Sequence, residues 1–188
     1  MNFTRPLILA STSPRRQFLM KEAGFKFQIE KPDGDEGFPD TMPVALVPTF
    51  LAEKKARSVA SQITDEIVIA SDTVVILDNK ILNKPANTEE AMDMLSRLSG
   101  VTHAVITGVC LLGKEKVDIF DDRTDVTFKK LTPAEIRFYV DTHKPLDKAG
   151  AYGAQDWLGM VGIERIAGSY FNVMGLPMHK VYAHLLTF

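Results

Sequence analysis

LILASTSPRR, residues 7–16, runs from three apolar residues through a Ser/Thr loop into the start of a helix. Leu7-Ile8-Leu9 predicts a buried strand, and Pro14 suits the first helical position, where its missing N–H costs nothing. Ser13 is placed as the N-cap. Such a junction turns backbone N–H groups and the positive end of a helix dipole toward whatever lies beyond the strand. Arg15 and Arg16 add two permanent positive charges there, although a first turn that served only structure would favour Asp or Glu. The stretch reads as an anion site suited to phosphate, with a solvated arginine pair as the plainer alternative.

Length and composition restrict what surrounds it. A chain of 188 residues suits one domain with a sizeable core. It is 45% hydrophobic and 24% charged with a formal charge of -2, so there is no overall attraction to nucleic acid or anionic membranes. A basic site has to be local. Cys110, the lone cysteine, lies in an apolar run and requires no oxidising compartment. The apolar run before Ser11 falls well short of the ~7–15 residues of a secretory core, and nothing approaches the ~20 of a membrane span. The expectation is a cytoplasmic protein without anchor or targeting signal.

Strands and helices alternate along the chain. A first helix carries Phe18, Leu19 and Ala23 on one face and stops at Gly24, and Phe25 to Ile29 alternates like a strand. The loop from Lys31 to Met42 holds Asp33, Asp35 and Glu36, either solvated or in contact with a metal or substrate. A helix from about Pro48 to Ile63 carries Phe50, Leu51, Lys54, Lys55 and Ala56, with one of the two lysines expected to face solvent. In EIVIASDTVVIL, residues 66–77, Ser71-Asp72-Thr73 interrupts two apolar runs. A carboxylate there either faces a cleft at a strand end, pairs with a cation, or serves a turn.

Asp78-Asn79-Lys80 predicts a hairpin turn, and Lys84 is fixed just before Pro85. Asn87 and Glu90 suit the N-cap and N3 positions of a helix with Ala91, Met94, Leu95 and Leu98 on one face. Thr102 to Leu112 reads as a long strand, and Val117 to Phe120 and Thr124 to Phe128 as two further ones. Thr132-Pro133-Ala134-Glu135 is a capping box. In PLDKAGAYGAQDWLG, residues 145–159, small residues allow close backbone approach while Lys148 and Gln155 supply polar reach. Met178 to Leu186 makes a last amphipathic helix. The four histidines show no zinc spacing, and neither the Walker nor the dinucleotide glycine pattern occurs. No basic stripe supports nucleic-acid binding.

STSPRR after a first strand, LAEKKA in a helix, ASDTVV, NKP, DKAGAYGAQ and GSYFNVMGLP occur in this order across nearly the whole chain. The combination resembles the Maf family of nucleoside triphosphate pyrophosphatases. The resemblance implies an α/β fold of the Maf/ITPase-like kind over residues 1–188 as a single domain, an elongated mixed central sheet flanked by helices, with a cleft between two lobes. Alternation alone suits a parallel doubly wound sheet equally well. The resemblance places the phosphate loop on Ser11, Ser13, Arg15 and Arg16, two phosphate-binding lysines on Lys55 and Lys84, and the catalytic aspartate on Asp72. Its loop acid falls on Glu36. Its specificity positions fall on Arg15, Thr73 and Gln155, the combination of the branch that hydrolyses dTTP and UTP.

Gln155 has a physical rationale of its own, since uracil and thymine present an N–H flanked by carbonyls and a Gln amide offers one acceptor and two donors. The implied reaction is cleavage between the α- and β-phosphates, giving a monophosphate and pyrophosphate. Arg15, Arg16, Lys55 and Lys84 would offset part of the triphosphate charge, and a divalent cation, Mg²⁺ or Mn²⁺, the rest, with Asp72 and Glu36 as its ligands. Asp72 would also take a proton from the attacking water. Asp156-Trp157 departs from the glycine-like continuation usual after the glutamine. The expected partners are a small nucleotide substrate and a second copy of the chain, with no nucleic acid and no membrane. The alternative function is a nucleotide-binding regulator of cell division or septum formation without obligatory turnover.

Overall fold

β1, Leu7–Ala10, is buried at Leu7, Leu9 and Ala10 and leads into α1, Pro14–Glu22, with Pro14 in the first turn. The computed structural model describes residues 5–33 and 36–188, so Asp35 of the acidic loop lies outside the described residues. α1 packs through Leu19 and Met20. Phe18, expected on the packed face, is 53% exposed, because a nine-residue helix turns only that one edge inward. The strand expected from Phe25 shrinks to β2, Gln28–Glu30, an exposed edge strand parallel to β1, while Phe25 is a buried side chain in the approach to it.

α2, Val47–Val59, buries Val47, Pro48, Leu51, Ala52 and Ala56, with Pro48 in its first turn as the sequence requires. Phe50 stays exposed. β3, Ile67–Leu77, is one unbroken strand, so the expected interruption at Ser71-Asp72-Thr73 is corrected: the polar residues keep the extended backbone and continue the ladder. β1 runs parallel to β3 with Leu9 opposite Ile69. β4, Lys80–Leu82, returns antiparallel on β3 through Asp78 and Asn79, both at positive φ as a two-residue hairpin turn requires.

α3, Thr88–Leu98, starts with the Asn87 side chain accepting the Glu90 N–H at 2.8 Å and buries the four predicted residues. β5, Thr102–Leu112, matches expectation. β6, Val117–Phe128, is a single strand where two were expected, the acidic Asp121-Asp122 pair lying within it. α4, Pro133–His143, has the predicted capping box. Three elements were not foreseen: α5, Trp157–Gly162; β7, Ile163–Ala167, antiparallel to β6; and α6, Tyr170–Met174. α7 spans Met178–Thr187. Among the described residues the strands form one mixed sheet in the order β2-β1-β3-β5-β6-β7, with β4 on β3, and helices flank it.

The chain divides into two units. The first comprises residues 5–72, 107–122 and 175–188, and the second 73–106 and 123–174. In the first, Ala10, Ala52, Ala56, Val68, Ala70, Cys110 and Leu112 form a core of mostly small side chains, which lets α2 lie close on the strands. At Gly108 the approach is so close that a Cβ would collide with the main chain of Pro48 and Thr49. The second unit has larger core residues, among them Leu95, Leu98, Phe128, Tyr139 and Leu158.

Candidate active site

The first unit brings together Ser11, Arg16, Glu36, Lys55 and Asp72 from four separate stretches of chain. Asp72 projects from the middle of β3 and is only 8% exposed. α2 carries Lys55 to it, and Lys55 Nζ donates to Asp72 Oδ1 at 2.5 Å and to Glu36 Oε1 at 3.0 Å. The neighbouring Lys54 donates to the Gly37 carbonyl at 3.2 Å, tying the Glu36 loop to the same helix. Both lysines hold partners, and the bond of Lys54 is a solvent-exposed one. Glu36 is the exposed member of the group, so its carboxylate has far more access to water than that of Asp72.

Arg16 comes to this site from the first turn of α1. Its Nε donates to the Gly175 carbonyl at 2.9 Å and its Nη1 approaches Ser11 Oγ at 3.5 Å. Gly175 has φ of 111°, a conformation that glycine adopts without strain, and its carbonyl also accepts the Ser71 hydroxyl at 3.2 Å. Burial lowers the affinity of Arg16 for its proton; Asp72 and Glu36 oppose that shift, and Arg15 adds to it. An arginine stays charged even so, which leaves a poorly solvated cation that a phosphate oxyanion would stabilise.

The loop itself differs from expectation in one detail. Ser13 occupies the N-cap position with an extended backbone, but its side chain caps nothing, and its own N–H donates to Ser11 Oγ at 3.2 Å. Ser11 is the buried serine and thus organises the loop by bonding both Ser13 and Arg16. Arg15 is half-buried beside them. Ser71 and Gly175 were absent from the sequence-based set. A GLP triplet marks Gly175, but a backbone carbonyl that holds an arginine leaves no signature in sequence.

The second unit holds Thr73, Lys84 and Gln155. Thr73 follows Asp72 on β3 and, by strand alternation, points to the other face. Lys84 is exposed before buried Pro85. Gln155 sits at the tip of a turn in which the Asp156 N–H donates to the Gly153 carbonyl at 3.1 Å. Its Oε1 is a buried acceptor that no donor reaches among the described residues. An unpaired buried acceptor costs about 1–3 kcal/mol until a donor reaches it.

Two carboxylates, Asp72 and Glu36, meet on one cationic nitrogen. That donor set suits a hard divalent ion, which takes one or two carboxylates and completes its shell with phosphate and water. No group of three or more His, Cys, Asp or Glu side chains that could hold a metal ion occurs among the described residues. No helix among them is long and apolar enough to cross a membrane.

The sequence profile of the family described as Maf-like protein matches residues 6–188. A Bacteroides fragilis protein named dTTP/UTP pyrophosphatase is 48% identical over 181 residues, covering 95% of this chain and 94% of that one. Its namesake from Cytophaga hutchinsonii is 46% identical over 179 residues, covering 95% and 82%. A third, from Flavobacterium psychrophilum, is 45% identical over 181 residues, covering 96% and 93%. Among solved structures, a HAM1 protein from Coxiella burnetii aligns with a TM-score of 0.47 at 16% identity, over 66% of this chain and 73% of that chain.

Proposed function

The chain belongs to the Maf-like family, and from that premise we propose that it is a nucleoside triphosphate pyrophosphatase that hydrolyses dTTP and UTP to the monophosphate and pyrophosphate. The observation that carries this reading is the convergence of Lys55, Asp72 and Glu36 near the half-buried guanidinium of Arg16. Arg16 and Arg15 bind phosphate oxygens and stabilise the charge that builds on them during cleavage. Arg16 does so in a fixed direction, since Gly175 and Ser11 hold it. When the nucleotide's phosphates draw Lys55 toward them, Asp72 is left as a buried carboxylate able to accept a proton from the attacking water. Family resemblance assigns Ser13 and Lys84 to the phosphates as well, and Arg15, Thr73 and Gln155 to selection of the base.

Asp72 and Glu36 would hold Mg²⁺ or Mn²⁺, which supplies positive charge to the phosphates when bound. The same reading carries a homodimer and a cytoplasmic setting, tested by sedimentation and by cell fractionation. A regulator of division that binds without turnover would not need a carboxylate at position 72, and the relatives named above carry the names of enzymes. The experiment that tests the proposal is a panel of nucleoside triphosphates with Mg²⁺ or Mn²⁺, reading pyrophosphate against orthophosphate. Pyrophosphate release, fastest from dTTP and UTP, is expected; orthophosphate as the only phosphate product would refute cleavage between the α- and β-phosphates.

A further inference from the structure

The turn that carries Gln155 is closed by a side chain fourteen residues earlier in the sequence. Tyr139, buried on α4, accepts the Gly153 N–H at 3.2 Å and donates its own hydroxyl to Asp156 Oδ2 at 2.9 Å. The Asp156 N–H in turn donates to the Gly153 carbonyl at 3.1 Å. Three hydrogen bonds thus form a ring through the two ends of the turn, with Ala154 and Gln155 at its tip. Lys148 Nζ, bonded to Asp147 at 2.8 Å, stands 3.7 Å from the same Asp156 oxygen. Burial, reinforced by the charge of Asp156, raises the pKa of the Tyr139 phenol, so the hydroxyl remains a donor at any working pH.

Packing holds the same turn from two further sides. A Cβ at Gly153 would come within 2.7 Å of Asp156 Oδ2 and 3.0 Å of Gln155 Nε2, so a larger residue there would push both side chains aside. At Gly159 on α5 a Cβ would run into the main chain of Ala154. Gln155 therefore projects from a backbone fixed by hydrogen bonds and by contact, with its Oε1 buried and without a donor.

Resting on the nucleotide reading above, we propose that Tyr139 is a positioning residue for base selection: by closing the Gly153–Asp156 turn it holds the Gln155 amide in one orientation. The consequence concerns uracil against cytosine. Uracil offers an N–H between two carbonyls, whereas cytosine offers a ring acceptor beside an amino group. An amide free to rotate by half a turn can pair with either base by exchanging its oxygen and nitrogen. An amide held in one orientation pairs with only one of them, and leaves polar groups unsatisfied with the other.

The test compares pyrophosphate release from UTP and CTP by the wild type, Tyr139→Phe, Asp156→Ala and Asp156→Asn, each first shown to be folded by its thermal transition. In Tyr139→Phe and Asp156→Ala the ratio of kcat/KM for UTP over CTP is expected to fall at least tenfold, with the UTP loss in KM more than in kcat. Asp156→Asn keeps an acceptor for the phenol and is expected to keep most of the ratio. Hydrogen exchange at the Gly153 amide should accelerate in Tyr139→Phe. A wild-type ratio retained in folded Tyr139→Phe and Asp156→Ala overturns the positioning role and leaves the dTTP/UTP assignment standing. A wild type that does not distinguish UTP from CTP overturns both.

Discussion

Lys55 and Asp72 meet at 2.5 Å, one from the middle of a helix and the other from the middle of a strand, neither more than one-fifth exposed at the side chain. A pair so placed is stabilised by mutual attraction that bulk water would weaken, and removing one member leaves the other poorly solvated. The carboxylate thus rests on a cation that a polyanionic substrate can compete for.

Replacing that carboxylate separates chemistry from binding. Asp72→Asn is expected to lower kcat for pyrophosphate release by about 10²–10⁴-fold while nucleotide binding persists, as a general base requires. Turnover and equilibrium binding of UTP, measured on the same preparation, check it. Unchanged turnover in Asp72→Asn would remove the catalytic role.

Arg16 grips two acceptors at once, the Gly175 carbonyl and the Ser11 hydroxyl. A lysine supplies the charge without the planar fork, so Arg16→Lys should raise KM for UTP about 10–100-fold instead of restoring wild-type behaviour. Steady-state kinetics with UTP and dTTP decide this.

Glu36 is the exposed carboxylate on Lys55. Glu36→Gln is expected to raise the Mg²⁺ or Mn²⁺ concentration needed for half-maximal activity roughly tenfold, with little change in thermal stability because surface pairs contribute little. Activity should vanish on chelation and return on adding either ion. A metal titration of the two proteins checks both statements.

His103 gives the second unit a pH dependence of its own. Its ring is buried, with Nε2 2.7 Å from the Tyr152 hydroxyl, and burial pushes its pKa from 6.5 down to about 4. The unfolded chain therefore binds the extra proton first as pH falls. The associated stability is complete above pH 6.5 and is lost progressively as pH drops toward about 4, by roughly 3 kcal/mol in all. His103→Gln should show a flatter stability curve over that interval, read by urea denaturation at several pH values.

Gly108→Ala tests the seating of α2. The added methyl meets main chain and not a flexible side chain, so a loss of about 1–3 kcal/mol is expected. Activity should fall as well, because α2 carries Lys55. Calorimetry and a UTP assay report the two effects.

Periodicity and capping chemistry made α3, α4, β5 and the 78–79 turn legible in the sequence, since each is decided by neighbouring residues. The unbroken courses of β3 and β6 were not legible. Ser71-Asp72-Thr73 and Asp121-Asp122-Arg123 look like breaks locally, yet ladder pairing and partners such as Lys55 and Lys180 accommodate them. α5, β7 and α6 are each six residues or fewer, too short for a periodic signal. Within the site, residue types pointed to Arg16 and, among alternatives, to Asp72, while Ser11, Glu36 and Lys55 were singled out by the family resemblance. What they could not reveal was the carbonyl of Gly175 or the hydroxyl of Ser71, because main-chain acceptors and small polar residues acquire meaning only from their neighbours in space.

The bond from Arg16 to Gly175 also bears on the order in which the protein matures on the ribosome. It joins positions 159 residues apart, so a nascent chain can complete its opening strand, loop and helix long before an acceptor for that guanidinium exists. Catalytic competence therefore waits for the segment around Gly175, and a product terminated before it would carry most of the site's acidic and basic side chains yet lack the grip that orients one of them.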